Sequence, residues 1–205
     1  MARIPLSKSQ LRKEKENLVS FRRYLPALDL KRQQLMGERV RAERGIGDAE
    51  QKVAAAANEA GAALPMLADE RIDVSRLVRI KEVRLGTLNV AGVKLPVVEA
   101  VDIERAPYGW MVQPHWVDAL VQHLETAIRL QIEVEVARQR VTVLRKAVAT
   151  VTQRVNLFDK GLIPETERNI RHILVYLGDA ERAAVVGAKI AKRARQARPA
   201  AGRQP

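Results

Sequence analysis

The 205-residue chain contains no cysteine. Disulfides, thiolate zinc sites and cysteine nucleophiles are therefore excluded, and the composition suits a reducing compartment. Histidine offers little for metal binding either, because His115, His123 and His172 show no local ligand spacing. We expect no metal and no other cofactor.

Long apolar runs are also absent. No stretch approaches the roughly 18 apolar residues of a membrane span. The N-terminal segment carries Arg3, Lys8, Arg12 and Lys13 without an apolar signal core between them. We therefore expect a protein that is neither secreted nor inserted into a membrane.

The usual catalytic motifs are missing. No Gly-rich loop ends in Gly-Lys-Ser/Thr, and Gly45-Ile46-Gly47 lacks the third glycine of a dinucleotide fingerprint. None of the four serines lies in a nucleophile-elbow context. Glu133 and Glu135 lie two residues apart, on different faces of a helix, which favours solvated carboxylates over a catalytic pair. We expect a mechanical or scaffolding protein rather than an enzyme.

Aromatic residues are scarce, whereas charge is abundant but unevenly placed. Seven aromatic residues accompany a hydrophobic content of 47%, which is typical of thin seams between helices rather than of one thick core. The net charge of +12 comes from residues 1–25, with seven basic and two acidic side chains, and residues 182–205, with seven basic and none acidic. The 156 residues between them balance, so the sequence predicts a neutral body with two basic ends.

The first predicted helix begins at about Ser7, because Ser7 and Gln10 have the spacing of a capping box. We expect a kink at Pro26 within one helix, and we expect Gly61 and Pro65 to end it. An a/d heptad seam continues more weakly to Ala56 and is strongest at Leu11, Leu18, Phe21, Leu25, Leu28 and Leu35.

The middle of the chain, from about Arg71 to Tyr108, changes pattern. It is rich in β-branched residues in short alternating pieces. Turn residues occur from Asn89 to Gly92, and Pro96 is a candidate for the end of a strand. This pattern predicts one or two β-hairpins.

The strongest periodicity follows Pro114, a residue suited to the first turn of a helix. No glycine or proline interrupts the chain from there to Gly161, which corresponds to a rod of roughly 70 Å. A rod this long with one apolar stripe needs a helical partner, and the first helix is the available one. We expect Gly161 to cap the rod and Pro164 to begin a last helix. Central members of the stripe are Val141, Leu144, Val148, Val151 and Val155.

These elements predict a mainly α fold: a long antiparallel coiled-coil hairpin of N- and C-terminal helices with a small central β-hairpin insert. Antiparallel pairing would bring both basic termini to one tip. The predicted division of the chain is an N-terminal long helix over 1–62, the insert over 63–112, C-terminal long helices over 113–196 and a basic, disordered tail over 197–205.

Several segments resemble the D subunit of V-type and archaeal-type rotary ATPases. The C-terminal signature of that family is similar to Arg154-Val155-Asn156-Leu157 followed by Ile163-Pro164, then Ile170-Arg171-His172-Ile173 and Lys189-Ile190-Ala191-Lys192. Its opening helix is similar to Leu11-Arg12-Lys13-Glu14-Lys15, and its central segment is similar to Asn89-Val90-Ala91-Gly92-Val93-Lys94-Leu95-Pro96. The resemblance covers nearly the whole chain.

The resemblance implies a central rotor shaft that couples ATP hydrolysis or synthesis to rotation and to proton or sodium transport, without binding nucleotide itself. The implied partners are the nucleotide-binding A and B subunits of the hexamer, the small F subunit of the central stalk and the C/d subunit, which is the stalk-to-ring adaptor. The implied location is cytoplasmic and peripheral to the membrane, with no membrane insertion and no nucleic acid. We hypothesise that contacts with the ring involve Arg12, Lys13, Lys189, Lys192 and Arg193.

Two other classes of protein fit parts of the pattern. A nucleic-acid-binding helical hairpin could use the basic ends, although only Phe21 and Tyr24 provide aromatic side chains near them and no recognition motif is present. A coiled-coil adaptor shares the periodicity and differs only in its partner. Recovery of the bound partners distinguishes all three.

Overall fold

The computed structural model describes residues 5–65, 77–106 and 116–197. The elements in chain order are α1 (Lys8–Ala63), β1 (Val78–Val90), β2 (Val93–Arg105), α2 (Trp116–Asn156), a π-turn (Leu157–Leu162) and α3 (Ile163–Ala197). The mainly α fold with long N- and C-terminal helices and a central antiparallel hairpin is therefore confirmed. Pro114 and most of the predicted tail lie outside the described residues.

Helix α1 begins where its capping residue predicted. The backbone amide of Gln10 donates to Oγ of Ser7 at 3.2 Å, which satisfies one of the free amides of the first turn. The reciprocal half of the predicted capping box is absent, because the Gln10 side chain donates forward to Glu14 Oε1 at 2.8 Å. One hydroxyl therefore caps the helix, and Gln10 instead holds a carboxylate of the next turn.

Helix α1 continues through Pro26 as a single element of 56 residues. The apolar register is the same before and after the proline, so seam burial outweighs the loss of one backbone hydrogen bond. The helix ends at Ala63, between the predicted stop residues Gly61 and Pro65. One continuous helix is thus confirmed.

The two strands form one antiparallel hairpin with a two-residue loop at Ala91 and Gly92. Both residues have positive φ, 48° and 79°, as a type I′ turn requires. The prediction that Pro96 ends a strand is wrong, because Pro96 lies inside β2 opposite Thr87. A strand at the edge of a sheet tolerates proline, since its missing amide interrupts no further ladder.

The predicted helix end at Gly161 is also wrong. The chain passes from α2 into α3 through the π-turn without leaving a helical conformation. The amide of Ile163 donates to the carbonyl of Phe158, five residues earlier. A π-turn places an extra residue in the helix, so the chain accommodates Gly161 and Pro164 without ending the rod.

The described chain forms two compact units. The first contains the residues up to Asp29 and those from Gln153 onward, and the second contains residues 30–152. Long helices contribute to both units, and each unit has its own ion pairs between an N-terminal and a C-terminal helical segment.

Antiparallel pairing of helices is visible inside the first unit. Lys8 Nζ lies 3.3 Å from Glu181 Oε1, and Arg22 Nη2 lies 2.6 Å from Glu167 Oε1. A step of fourteen residues forward on α1 is thus matched by fourteen residues backward on α3. Fourteen residues are two heptads, the repeat of a coiled coil.

The second unit shows the same pairing with the charges exchanged. Arg145 Nη2 donates to Glu43 Oε1 at 3.0 Å, and Arg138 Nη2 donates to Glu50 Oε1 at 2.7 Å. Seven residues forward on α1 correspond to seven residues backward on α2. In the second unit α1 supplies the acidic partner of each of these pairs. In the first unit α1 supplies the basic partner.

Seam positions predicted from the heptads are shielded from solvent. The predicted central seam residues on α2 are all buried, and Leu144 is only 1% exposed. On α1 the stripe is half-buried, except that Leu35 is fully buried. Apolar burial of this kind, rather than helix propensity alone, stabilises helices of such length.

A small apolar core lies at the end of the second unit where α1 ends and α2 begins. It joins the residue after α1 to the residues around the starts of β1 and α2. The buried members of this cluster are Leu64, Leu77, Val117, Leu120 and Val121.

Candidate functional site

The basic end of the chain is built from the start of α1 and the last turns of α3. The Lys8–Glu181 ion pair places the start of α1 beside the middle of α3 in the first unit, sixteen residues before α3 ends. Arg12 and Lys13 follow within two turns of α1, and both are exposed. Arg12 Nε lies 2.9 Å from Glu16 Oε1 in the same helix, with 84% of the Arg12 side chain exposed. The guanidinium is therefore accessible to a partner despite this ion pair.

Helix α3 extends well past the level of Lys8. It runs sixteen residues from Glu181 to Ala197, roughly 24 Å at the α-helical rise. Residues 179–196 are all exposed. They include Lys189, Lys192 and Arg193, so the structure brings the five predicted contact residues to one end of the first unit without placing them in one cluster.

This projecting part of α3 also exposes apolar side chains. Val185, Val186 and Ile190 are 56%, 55% and 62% exposed. Three branched aliphatic residues within six positions, on a helix that is exposed on all sides, form an apolar surface among basic residues. The contact residues predicted from the sequence are all charged, although the spacing of Val185, Val186 and Ile190 could have indicated this apolar surface as well.

The C-terminal signature residues occupy the junction of α2 and α3. Val155 is buried, whereas Arg154 and Asn156 are exposed, immediately before the π-turn. Ile163 and Pro164 are half-buried at the start of α3. The motif therefore lies where the C-terminal rod changes its hydrogen-bonding pattern.

The hairpin tip lies beside α1 in the second unit. A Cβ added at Gly92 would lie 3.4 Å from Lys31 Nζ. Asn89, Val90 and Ala91 line a cleft of about 640 Å³ with residues 30–41 of α1. Of the predicted insert residues, Val93 and Pro96 are half-buried, while Asn89 and Gly92 are exposed at the turn.

The body of the hairpin also contacts the helices, which the sequence did not predict. Leu95 is 1% exposed. It lines a cavity of about 220 Å³ with Ala42 and Gly45 of α1 and with Ala137 and Leu144 of α2. The hairpin is thus packed on both helices of its unit.

An ion pair joins the end of β2 to α2. Two guanidinium nitrogens of Arg105 donate to the Glu125 carboxylate. Nε donates to Oε1, and Nη2 donates to Oε2 at 3.1 Å. This hydrogen bonding lowers the pKa of Glu125 more than partial burial raises it. A bidentate pair with only 17% of the Glu125 side chain exposed fixes the base of the hairpin.

We expect this pair to make the stability of the second unit depend on acid pH. Because the folded pKa of Glu125 is lowered, its contribution is present above the unfolded pKa and is lost as the pH falls below about 4.3. Glu125→Gln should remove about 0.2–1 kcal/mol at pH 7 and little at pH 3. Urea unfolding of both proteins at both pH values measures this difference. An equal loss at both pH values would show that packing, not ionisation, is responsible.

Within the described ranges, no cluster of three histidine or acidic residues could hold a metal ion. In the same part of the chain, no helix combines the length and apolarity needed to cross a bilayer. The candidate functional features are therefore the basic and apolar end of α3, the hairpin packed on the helices, and the long paired helices.

Comparison with known proteins agrees with these elements. The sequence model for the D subunit of ATP synthase matches residues 10–193, which include nearly all of α1 and α3 and the whole of the hairpin and α2. The D subunit of the V-type ATP synthase from Borreliella burgdorferi is 36% identical over 194 residues, covering 94% of this chain and 95% of the relative. The protein of the same name from Chlamydia felis is 32% identical over 202 residues, covering 96% of each chain. Paired helices, central hairpin and near-complete coverage by these relatives together show that the chain belongs to the family of ATP synthase D subunits.

Proposed function

We propose that this chain is the non-catalytic central rotor shaft of a V-type ATPase or ATP synthase, peripheral to the membrane on its cytoplasmic side. The observation that carries the proposal is heptad-spaced antiparallel pairing in both compact units of a chain belonging to the D subunit family. ATP hydrolysis or synthesis in a ring of nucleotide-binding subunits is coupled through the shaft to proton or sodium transport.

The paired helices support the transmission of torque. Each buried seam side chain of a coiled coil fills a hole in the facing helix, so the two strands resist unwinding. In the second unit the ion pairs Glu43–Arg145 and Glu50–Arg138 accompany the buried residues Leu144, Val148 and Val151. Surface ion pairs add little stability singly, but their heptad spacing favours one register over the alternatives.

The exposed end of α3 supports a bearing contact with the ring of A and B subunits. Its exposed aliphatic residues supply apolar contact area, while Lys189, Lys192 and Arg193 supply charge that steers an acidic or polar partner. Arg12 and Lys13 contribute from α1. These five residues act as orientation-dependent contacts rather than as a catalytic group.

The hairpin supports a contact with the small F subunit of the stalk. It presents Ile80, Leu85 and Leu88 with 46–48% of each residue exposed, while β2 is packed against the helices. We further propose that the C/d adaptor contacts the end of the second unit where α1 ends and α2 begins, an end whose shape is held by the buried core of Leu64, Leu77 and Val117. No nucleic acid takes part.

Affinity purification of the full chain from its native cells tests the proposal. We expect the tagged chain to recover large nucleotide-binding subunits together with a small stalk subunit, and the recovered complex to hydrolyse ATP. Nuclease treatment before elution should leave that recovery unchanged. Loss of all partners after nuclease, or recovery of nucleic acid alone, would contradict a rotor shaft and favour a nucleic-acid-binding hairpin.

A further inference from the structure

Helix α1 carries its one internal proline within the first unit. Pro26 has no amide hydrogen, so the carbonyl of Arg22, four residues earlier, receives no hydrogen bond from it. The proline ring also crowds that carbonyl. Backbone hydrogen bonding in α1 is therefore interrupted between Arg22 and Pro26.

The C-terminal rod is interrupted by a second proline of the same unit. Pro164 has no amide to donate to a carbonyl of the preceding turn, and the π-turn of residues 157–162 ends two residues before it. The Thr166 hydroxyl, in a residue only 5% exposed, donates to the carbonyl of Leu162 at 2.7 Å. Hydroxyl bonds of this kind often bend helices.

Two contacts place these interruptions opposite each other. The rings of Phe21 and Phe158 meet edge to face, with centroids 5.4 Å apart and an interplanar angle of 77°. One residue later on α1, Arg22 pairs with Glu167 at 2.6 Å. Phe158 and Glu167 lie on either side of Pro164, so both helices lose regular hydrogen bonding over the same length of the coil.

The π-turn is also poorly anchored by packing. None of its six residues is buried, and Leu157 is 55% exposed. By contrast, Val151 and Val155, just before it, are buried. Few buried contacts and irregular backbone bonds are the physical marks of a segment that opens locally.

We infer that Pro26 and Pro164 form a compliant joint in the coiled coil of the first unit, where the paired helices twist more readily than in the regular coil. Compliance is a property of the chain itself. Its use, in which torque twists the shaft at this level first, rests on the proposed rotor function. The helices stay together while the backbone twists, because they are joined by the Phe21–Phe158 ring contact and the Arg22–Glu167 ion pair.

Hydrogen exchange of the full chain, followed by mass spectrometry, measures the compliance directly. We expect amides of residues 22–30 and 157–163 to exchange about tenfold faster than those of residues 141–151. Equal exchange in all three segments would overturn the joint, because regular and interrupted helices would then open alike.

A variant that restores the backbone amides at residues 26 and 164 tests whether the two prolines cause the fast exchange. Pro26→Ala combined with Pro164→Ala should slow exchange at the joint about tenfold, since both helices regain a donor and lose a ring clash. The control is Gly47→Ala, whose added Cβ would meet nothing within 4 Å and which stabilises α1 away from the joint. Slowing by Gly47→Ala as large as that by the double variant would also overturn the joint, by showing that general helix stability sets the exchange rate.

The mechanical use of the joint has its own readout. In the complex recovered with the tagged chain, the double variant should raise the torsional stiffness of the shaft in single-molecule rotation about twofold, with Gly47→Ala unchanged. Fast, proline-dependent exchange with unchanged stiffness would overturn the mechanical use. Failure to recover nucleotide-binding subunits would instead refute the rotor function, and the exchange result would still decide whether the joint exists.

Discussion

Replacing Ile173 with alanine should lower the free energy of unfolding of the first unit by about 2–5 kcal/mol. Ile173 is 0% exposed on α3, between the levels of the Arg22–Glu167 and Lys8–Glu181 ion pairs. It therefore faces the stretch of α1 from Lys8 to Arg22. A two-helix seam has few other side chains that can move in, so the cavity left by the substitution stays largely unfilled.

Leu174→Ala is the matched control for this prediction. Leu174 is the next residue on the same helix and is 47% exposed. Its truncation removes a similar number of carbon atoms but opens no internal cavity, so we expect a change below about 0.5 kcal/mol. Urea unfolding followed by circular dichroism compares the two proteins. Equal losses would show that α3 is not held in the first unit by its buried stripe.

The helices could be predicted because their signals are periodic and repeated. Thirteen positions from Trp116 to Phe158 follow one four-and-three spacing, so a single exception changes little. The error at Gly161 has a clear cause. Glycine followed by proline is a local stop signal, whereas the continuation into α3 depends on burial of Val155 before it and Ile173 after it. The π-turn accommodates Gly161 and Pro164 while the helix continues, and the sequence carries only a weak local signal for such a turn.

The hairpin and its place in the sequence were predicted, but its packing against the helices was not. Alternating β-branched residues and the Ala91-Gly92 turn depend on neighbours in sequence. The burial of Leu95 and the Arg105–Glu125 pair depend on which helix surface the hairpin meets. That choice is made by residues far away in the chain, so the pattern of the insert alone cannot reveal it. Contacts with partner proteins likewise depend on residues outside the local pattern, so the contact residues named from the sequence stay a prediction.

Neutralising the basic end should weaken binding to the nucleotide-binding ring by about fivefold to a few thousandfold. Five exposed ion pairs of about 0.2–1 kcal/mol each, if they form with the ring, would sum to this range. The effect should shrink at high salt, because exposed charges are screened over about 8 Å at physiological ionic strength. The variant carries alanine at Arg12, Lys13, Lys189, Lys192 and Arg193.

A second variant with the same change of net charge separates local contact from general electrostatics. It removes five exposed basic side chains of the second unit, on α1, β1 and α2. Binding of each protein to the purified ring at low and high salt, with ATP turnover of the reassembled complex, gives the comparison. If both variants bind equally weakly, the attraction is a long-range effect of net charge. If neither loses affinity or coupling, the exposed Val185, Val186 and Ile190 supply the bearing contact instead. The control variant carries alanine at Arg44, Lys52, Arg79, Lys81 and Lys146.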